Sequence, residues 1–386
     1  MVTLQTADSV LKNYYLDAIT KEIDDMGSLF FGKIESTSAN VVGKGVSKVV
    51  RLGVNGGVGA GTEMGELPYS EPSSYITLNA SLKNLYGTIE ISDKAIRASA
   101  NNDGAFVNLL NEEMENLIKS AKYNFSRMLF GDGNGTIGHV VGQNGRKITL
   151  DRLSGLEEGM YVDIWKNGIL TYSYIKICEV LKSESAIVFN PEYFDEGDNI
   201  MDSDIRAVGV EEGYELTGLD ALFSDNPIYG VDRTSSYMKP YIKADVGEID
   251  ENAIQTALDK IEERSGSAIN FIVCSWGVRR ALLKAFRQNK VAMDTMEIEG
   301  GFKAISFNGI PVVADRFCPE GTMYLLNTDD FIVHQLCDWQ WLEGEDGKIL
   351  KQVPGKPVYT ATLVKYAELM CNKPSGQGML SGITEA

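Results

Sequence analysis

At 386 residues and 44% apolar content, the chain is long enough for two or three subdomains around a real core. Its 54 acidic against 36 basic residues give a formal net charge of -18, which argues against a dedicated nucleic-acid binder, since that needs basic surface to displace counterions, and against attachment to an anionic membrane. The N-terminal MVTLQTADSVLKNYYLDAI is not a signal peptide, no stretch reaches the roughly 18 apolar residues of a membrane span, and Cys178, Cys274, Cys318, Cys337 and Cys371 are spaced as free thiols rather than as a disulfide framework or zinc site.

From the N-terminus, residues 8–31 show helical spacing, with Val10, Leu11, Tyr14, Tyr15, Ala18, Ile19 and Ile23 on one side. Asp8 or Ser9 can cap the start and Gly27 can end it. The mixed aromatic and aliphatic face fits either a helix docked on the core or an arm laid on a neighbouring subunit. Residues 46–82 read as a long hairpin. VSKVVRL (46–52) pairs with YITLNASL (75–82), in which Ile76, Leu78, Ala80 and Leu82 alternate. The 22 residues between them are rich in Gly, Glu, Pro and Ser. A connection longer than about 12–15 residues without structure of its own is usually functional or disordered. An enzyme uses such a segment as a lid, and an assembly protein uses it to reach across a neighbour.

The next strand, LYGTIEI (85–91), changes parity: its apolar positions are odd (Leu85, Ile89, Ile91) where those of 76–82 are even. A one-residue shift swaps the buried face, so a bulge or break near Asn84 is expected, where the projecting arm meets the body. A helix follows over about 103–129. Phe106, Leu110, Met114, Leu117, Ala121, Phe125 and Met128 form one continuous stripe, about 36 Å long at 1.5 Å per residue. Acidic residues gather at its start and Lys119, Lys122 and Arg127 at its end, as the helix dipole favours. Gly131 and Gly133 are placed to supply a left-handed cap.

From 138 to 210 short β-rich runs recur: HVV (139–141), KITL (147–150), MYVDIW (160–165), YSYIKICEVL (172–181) and AIVF (186–189). Turns such as QNG and KNG separate them, which predicts a small antiparallel barrel or sandwich inserted as its own unit. Residues 217–233 read as a connecting segment. Asp250 can cap a helix containing Ile254, Leu258 and Ile261 that ends near Gly266. A buried strand NFIVCS (270–275), a basic helix WGVRRALLKAFRQ (276–288) and strands IPVVAD, MYLLN and FIVHQL complete an α+β or α/β unit. A last strand, YTATLVKYAELMC (359–371), returns to the body.

Motifs for chemistry are weak. GNGTIG (133–138) matches G-x-G-x-x-G, but a dinucleotide fingerprint must follow a strand and open a helix, and this one follows a helix. His139 and His334 sit in apolar strand-like runs without near metal partners. Ser275 lies between a strand and a helix in the context CSWG, which suits helix capping rather than a nucleophile elbow. DDF (329–331) lacks the further carboxylates of a metal site. No catalytic, cofactor or metal residue is assigned. The one basic run, 279–290, places Arg279, Arg280, Lys284 and Arg287 at three- and four-residue spacing. It is either a solvated face or a charged contact with an acidic neighbouring subunit, where complementary charge sets register between identical copies.

The order of these landmarks resembles major capsid proteins of tailed bacteriophages, those with the HK97 fold. The resemblance is carried by LKNYYLDAI (11–19), the loop ending GTEMGELP (61–68), LKNLYGTIEIS (82–92), the helix closing on RMLFGDGNGT (127–136), FIVHQLCDWQWLEGEDGKIL (331–350) and CNKPSGQGMLSGI (371–383). It implies an α+β fold with an N-terminal arm (1–45), an extended loop (46–82) and a peripheral domain with a spine helix (83–137). An inserted β-rich barrel or sandwich (138–213), a return segment (214–234), an axial domain (235–345) and C-terminal strands (346–386) follow. It implies a shell protein that meets its own copies in hexamers and pentamers around a double-stranded DNA genome. Subunit contacts are expected through Arg51, Glu63, Glu66 and Glu71 on the loop and Arg279, Arg280, Lys284 and Arg287 on the basic helix. The chain reaches the arm at once, so a separate scaffolding protein and no N-terminal cleavage are expected. A portal protein, optionally a decoration protein, weak non-specific contact with packaged DNA, no membrane, and assembly in the bacterial cytoplasm into a virion complete the expectation. Lys83 and Asn372 are residue types found in crosslinked members, but nothing in the sequence places them together. Two alternatives stand beside it: an encapsulin-type cargo compartment on the same fold, and an enzyme with 53–74 as its lid.

Overall fold

The computed structural model describes residues 28–53, 55, 57–66, 69, 73–94, 103–192, 194, 197–288, 294–298, 302–344 and 347–386. The expected helix at 8–31 falls almost wholly outside them. The fold is mixed α+β, with three cores.

The first core lies between a long helix and a sheet. The helix, Asp103–Met128, spans 26 residues, about 39 Å. The sheet runs Glu35–Thr37, Phe331–Trp341, Val358–Cys371, with Lys83–Ser92 along the far side of Val358–Cys371 and Lys351–Gln352 beside its start. Within Lys83–Ser92, Leu85, Ile89 and Ile91 are buried, while the residues between them are exposed or, at Gly87, half-buried. That is the odd parity expected, and these residues face the helix. Gly87 lies so close to it that a Cβ there would stand 2.9 Å from Leu117 Cδ1. The helix buries Met114, Ile118, Phe125 and the following Leu129 most completely, while Leu117, Ala121 and Met128 are only half-buried flanks of the expected stripe. Near its end it also buries Lys122, Ser126 and Arg127. More than one element covers this last turn, so a single apolar stripe under-describes it. Phe30 plugs the same core edge-on to Phe130 and Phe331, with centroids 6.0 and 5.4 Å away.

The helix does not end on a left-handed glycine. Gly131 has no positive φ, and the first glycine with one is Gly133, beyond the terminal turn. Instead the chain returns after an excursion of about 85 residues and closes the helix from outside. Leu219 N donates to Leu129 O at 2.8 Å and Asp220 N to Phe130 O at 3.3 Å, so the start of the short helix Leu219–Phe223 meets the orphan carbonyls. The approach requires glycine at 218, where a Cβ would lie 2.6 Å from Gly131 O and 2.7 Å from Leu129 O.

The excursion is a closed barrel. Its strands run Ala186–Phe189, Lys147–Leu150, Thr136–Asn144, Asp204–Ala207, Tyr161–Lys166, Ile169–Leu181 and back to the first. Val140, Ile148, Val162, Ile164, Ile177, Ile187, Phe189 and Ile205 fill it. Asp204–Ala207 was not foreseen from sequence: four residues with two charges give no apolar run, yet Ile205 and Ala207 point inward. Closure leaves no unpaired edge on this unit.

The third core belongs to a seven-stranded sheet ordered Tyr241–Lys243, Gly378–Leu380, Met323–Leu326, Phe271–Cys274, Ile310–Ala314, Phe302–Phe307, Asp294–Ile298. Phe271–Cys274 is buried on both faces. Phe271 and Val273 join the first core, and Ile272 and Cys274 join the core under helices Glu251–Ser265 and Trp276–Gln288. The Asp250 carboxylate caps the first helix through Ala253 N at 2.7 Å, and Gly266, at φ 65°, ends it, both as expected. The unit expected over 235–345 needs correcting at its end. Phe331–Trp341 leaves the seven-stranded sheet and pairs with Val358–Cys371 in the sheet beneath the long helix, whereas Gly378–Leu380 crosses back. FIVHQL alternates in burial because it lies on the one-sided sheet rather than the two-sided one.

Replacing Gly218 with Ala should cost about 1–3 kcal/mol, the range for overpacking a closed contact. The check is the urea midpoint of the unassembled chain against a control substitution at the exposed Gly168. Equal midpoints would refute this account of how the helix is closed.

Candidate assembly surfaces

The hairpin is the largest projecting feature. Gly45–Leu52 and Ser74–Ser81 pair antiparallel, with Val46 opposite Ala80, Lys48 opposite Leu78 and Val50 opposite Ile76. Its base is buried: Val46 is 2% and Leu78 0% exposed. Further out, Val49 and Tyr75 stand exposed. Beyond the strands, every residue from Val58 to Glu66 is exposed, Met64 at 99%. A hydrocarbon side chain held in water at a loop tip gains nothing from the subunit's own core and is free to be buried elsewhere. Arg51 lies on the first strand opposite Tyr75, and Glu63 and Glu66 lie in the tip, all exposed. Glu71 lies outside the described residues. The break between hairpin and body falls at Leu82, two residues before the expected Asn84. There Leu82 N donates to Lys44 O at 2.9 Å and ends the hairpin ladder, and Lys83 begins pairing with Val358–Cys371.

The hairpin base is held by charge that sequence reading did not find. Lys83 Nζ donates to Gly213 O at 2.7 Å and lies 3.6 Å from Glu368 Oε2. Glu368, 1% exposed, accepts from Thr217 N at 2.8 Å and Leu369 N at 3.0 Å. Burial pushes its carboxyl up to about 7, against a pull downward from Lys83. One turn from the end of the long helix, Arg127 makes a two-pronged pair with Glu215, both buried, one prong at 3.0 Å. Asn79 N on the hairpin donates to Tyr229 O at 2.9 Å, and Tyr229 Oη donates to Leu369 O at 3.2 Å. No local pattern marks these residues, because their partners are 88 to 285 positions away.

The basic helix Trp276–Gln288 places Arg280, Lys284 and Arg287 on one open face. Arg280 Nε donates to Ala386 O at 2.5 Å. Arg279 turns aside, half-buried, with its guanidinium 5.7 Å from the Trp276 ring centroid. The structure thus joins three of the four expected basic residues on a face and places the hairpin charges on a separate element.

The residues weighed for chemistry have structural partners. Ser275 Oγ accepts from Val278 N at 3.2 Å as a helix cap and donates to Glu385. His334 is fully buried, its Nδ1 3.2 Å from Ala39 O, and burial lowers its pKa. His139 meets Asp204 at 3.0 Å. GNGTIG turns from the helix into strand Thr136–Asn144. Among the described residues, no group of three or more His, Cys, Asp or Glu side chains is placed to hold a metal, and no helix is long and apolar enough to cross a membrane.

No protein-family model matches the sequence, and no curated protein matches it. Among solved structures, the cyanophage A-1(L) capsid asymmetric unit is similar at 11% identity and TM-score 0.56, over 95% of this chain and 93% of that one. The chain has the fold of that capsid subunit. Two further structures overlap less closely. The native GTA particle capsid does so at 11% identity and TM-score 0.48, over 92% of this chain and 90% of that one. The SrpI encapsulin of Synechococcus elongatus PCC 7942 does so at 11% identity and TM-score 0.42, over 81% and 78%.

Removing one member of the Arg127–Glu215 pair strands a buried charge. Arg127→Met and Glu215→Gln should each cost about 3–5 kcal/mol, and the double variant clearly less than their sum. Denaturant midpoints of the four proteins check this, and additive losses would show that the two charges do not couple.

Proposed function

We propose that the protein is a major capsid protein of a tailed bacteriophage, assembling through hexamers and pentamers into an icosahedral shell around double-stranded DNA. The observation that carries the reading is the likeness to the cyanophage capsid subunit, which runs through almost the whole of both chains. In this reading residues 1–45 are the N-terminal arm, 46–82 the extended loop laid over an adjacent subunit, and 83–137 the peripheral domain with its spine. The barrel of 138–213 is an insert, 214–234 returns the chain, and 235–345 is the axial domain up to the point where Phe331–Trp341 rejoins the peripheral sheet. Residues 346–386 supply the last strands of both domains.

The mechanism is geometric. A long hairpin fixed at its base and bare at its tip gives each subunit a lever onto its neighbour. Arg51, Glu63, Glu66 and Glu71 on that lever, and Arg280, Lys284 and Arg287 on the axial helix, with Arg279 beside them, are the proposed charged contacts. Complementary charge at exposed positions sets partner choice and encounter rate more than affinity. Many modest contacts sum through multivalency, while each remains weak enough to be corrected during growth. The net charge of -18 suits a wall that lets packaged DNA slide, with only weak non-specific contact. A separate scaffolding protein, a portal and, optionally, a decoration protein are the expected partners. The geometry needs no cofactor.

Deleting Val58–Glu66 tests the lever. The hairpin base and cores do not include these residues, so the variant should keep the parent's thermal midpoint. In sedimentation it should accumulate as monomers or capsomers where the parent forms particles. Particles of parental size from the deletion would refute the role of the tip.

A further inference from the structure

Three elements meet where Lys83, Glu368 and Gly213 come together: the first residue after the hairpin, the long strand Val358–Cys371, and the loop by which the barrel returns to the body. We propose that this cluster is a latch that ties the base of the hairpin to the barrel's return loop, and that it opens when Glu368 loses its charge. The inference does not depend on the shell reading.

The geometry supports a switch rather than a fixed staple. The Arg127–Glu215 pair beside it is two-pronged, with both side chains buried. Lys83 has a single strong bond, to the Gly213 carbonyl, and holds Glu368 only at 3.6 Å. That second contact is Coulombic, so it lasts only while the carboxylate is charged. Glu368 keeps its bonds from Thr217 N and Leu369 N in either state, since a neutral carboxyl still has an acceptor oxygen. Losing the charge therefore frees Lys83 without unseating Glu368. A cavity of about 800 Å³ lined by Lys83, Arg127, Gly213 and Glu215 brings solvent to the cluster, which gives protons a route to a side chain otherwise sealed.

The surrounding charged and titratable groups leave Glu368 as the one that changes near neutrality. Lys83 faces it from the hairpin side, and Arg127 with Glu215 from the helix and return loop. Tyr229, held high by burial, lies on the other side with Arg233 near it, and both Tyr229 and Cys371 of its own strand stay protonated. His334 stands opposite in the strand register, buried and held neutral. Burial holds Glu368 up at about 7, against an ordinary 4.5. The sign follows from that. The folded state binds the proton more tightly than the unfolded chain. Glu368's contribution to global stability is therefore complete below the ordinary value and is lost as pH rises through about 7. The latch runs the other way: it is closed above that pH and opens below it. Linkage then requires that freeing Lys83 raise the Glu368 titration point further.

Hydrogen exchange of the intact protein at pH 6 and pH 8, corrected for intrinsic rates, tests this in the peptides covering 80–88 and 211–219. In wild type, exchange there should be about tenfold faster at pH 6 than at pH 8, the effect of one unit of titration. Peptides in the barrel strands should not change. Glu368→Gln should show the faster exchange at both pH values. Lys83→Met, whose side chain is near the surface and safe for folding, should also show it at both, and should move the Glu368 carboxyl titration, followed by carbon NMR, upward. Exchange independent of pH in wild type, or a Glu368 titration unmoved by Lys83→Met, would overturn the latch.

Discussion

The fold depends on how the long helix is closed. Its last carbonyls point into the meeting place of all three cores, where unpaired polar groups are costly. No residue that follows directly can satisfy them, because the chain leaves at once for the barrel. The closure comes from Gly218–Ala221, after the barrel has been built, at the one position where the absence of a Cβ lets backbone meet backbone. The barrel is thus an insertion into a helix cap: its two ends are fixed to one helix terminus, and Arg127–Glu215 binds the returning strand of chain to the last turn. The seven-stranded sheet departs from the same point, and the hairpin is anchored a few residues away through Lys83 and Tyr229.

This arrangement separates what must be rigid from what must reach. Charge is buried where elements join, in pairs that are expensive to break but add little net stability over an apolar contact. Such pairs specify one geometry for the joint. Outward from it, the hairpin loses its contacts stepwise, from the sealed Leu78 to the fully exposed Met64. A subunit whose ligand is another copy of itself needs this gradient. Its lever has to be fixed at one end and unsatisfied at the other.

Much of this was legible in the sequence wherever the signal was local and periodic. The helix from Asp103, the Asp250 cap and Gly266 stop, the parity change near the hairpin base and five of the six barrel strands follow from residue spacing. What was illegible is long-range. Gly131 and Gly133 looked like the cap because they are adjacent in sequence, whereas the true cap is Gly218. FIVHQL looked like a member of the nearest sheet, and only its partner Val358–Cys371 assigns it elsewhere. Lys83, Arg127, Glu215 and Glu368 carry no motif, since a buried ion pair is defined by a partner that chain order does not reveal. The surface residues Arg51, Glu63, Glu66, Arg280, Lys284 and Arg287 were found from charge alone and are exposed, which is what contact residues of an isolated subunit should be.

The account rests on the claim that this fold exists to meet copies of itself. Electron microscopy of the purified chain, alone and co-expressed with a scaffolding protein, addresses that claim most directly. It predicts closed shells, or rings of five and six subunits, with the hairpin of one copy lying over the next. A chain that stays monomeric under both conditions would contradict it.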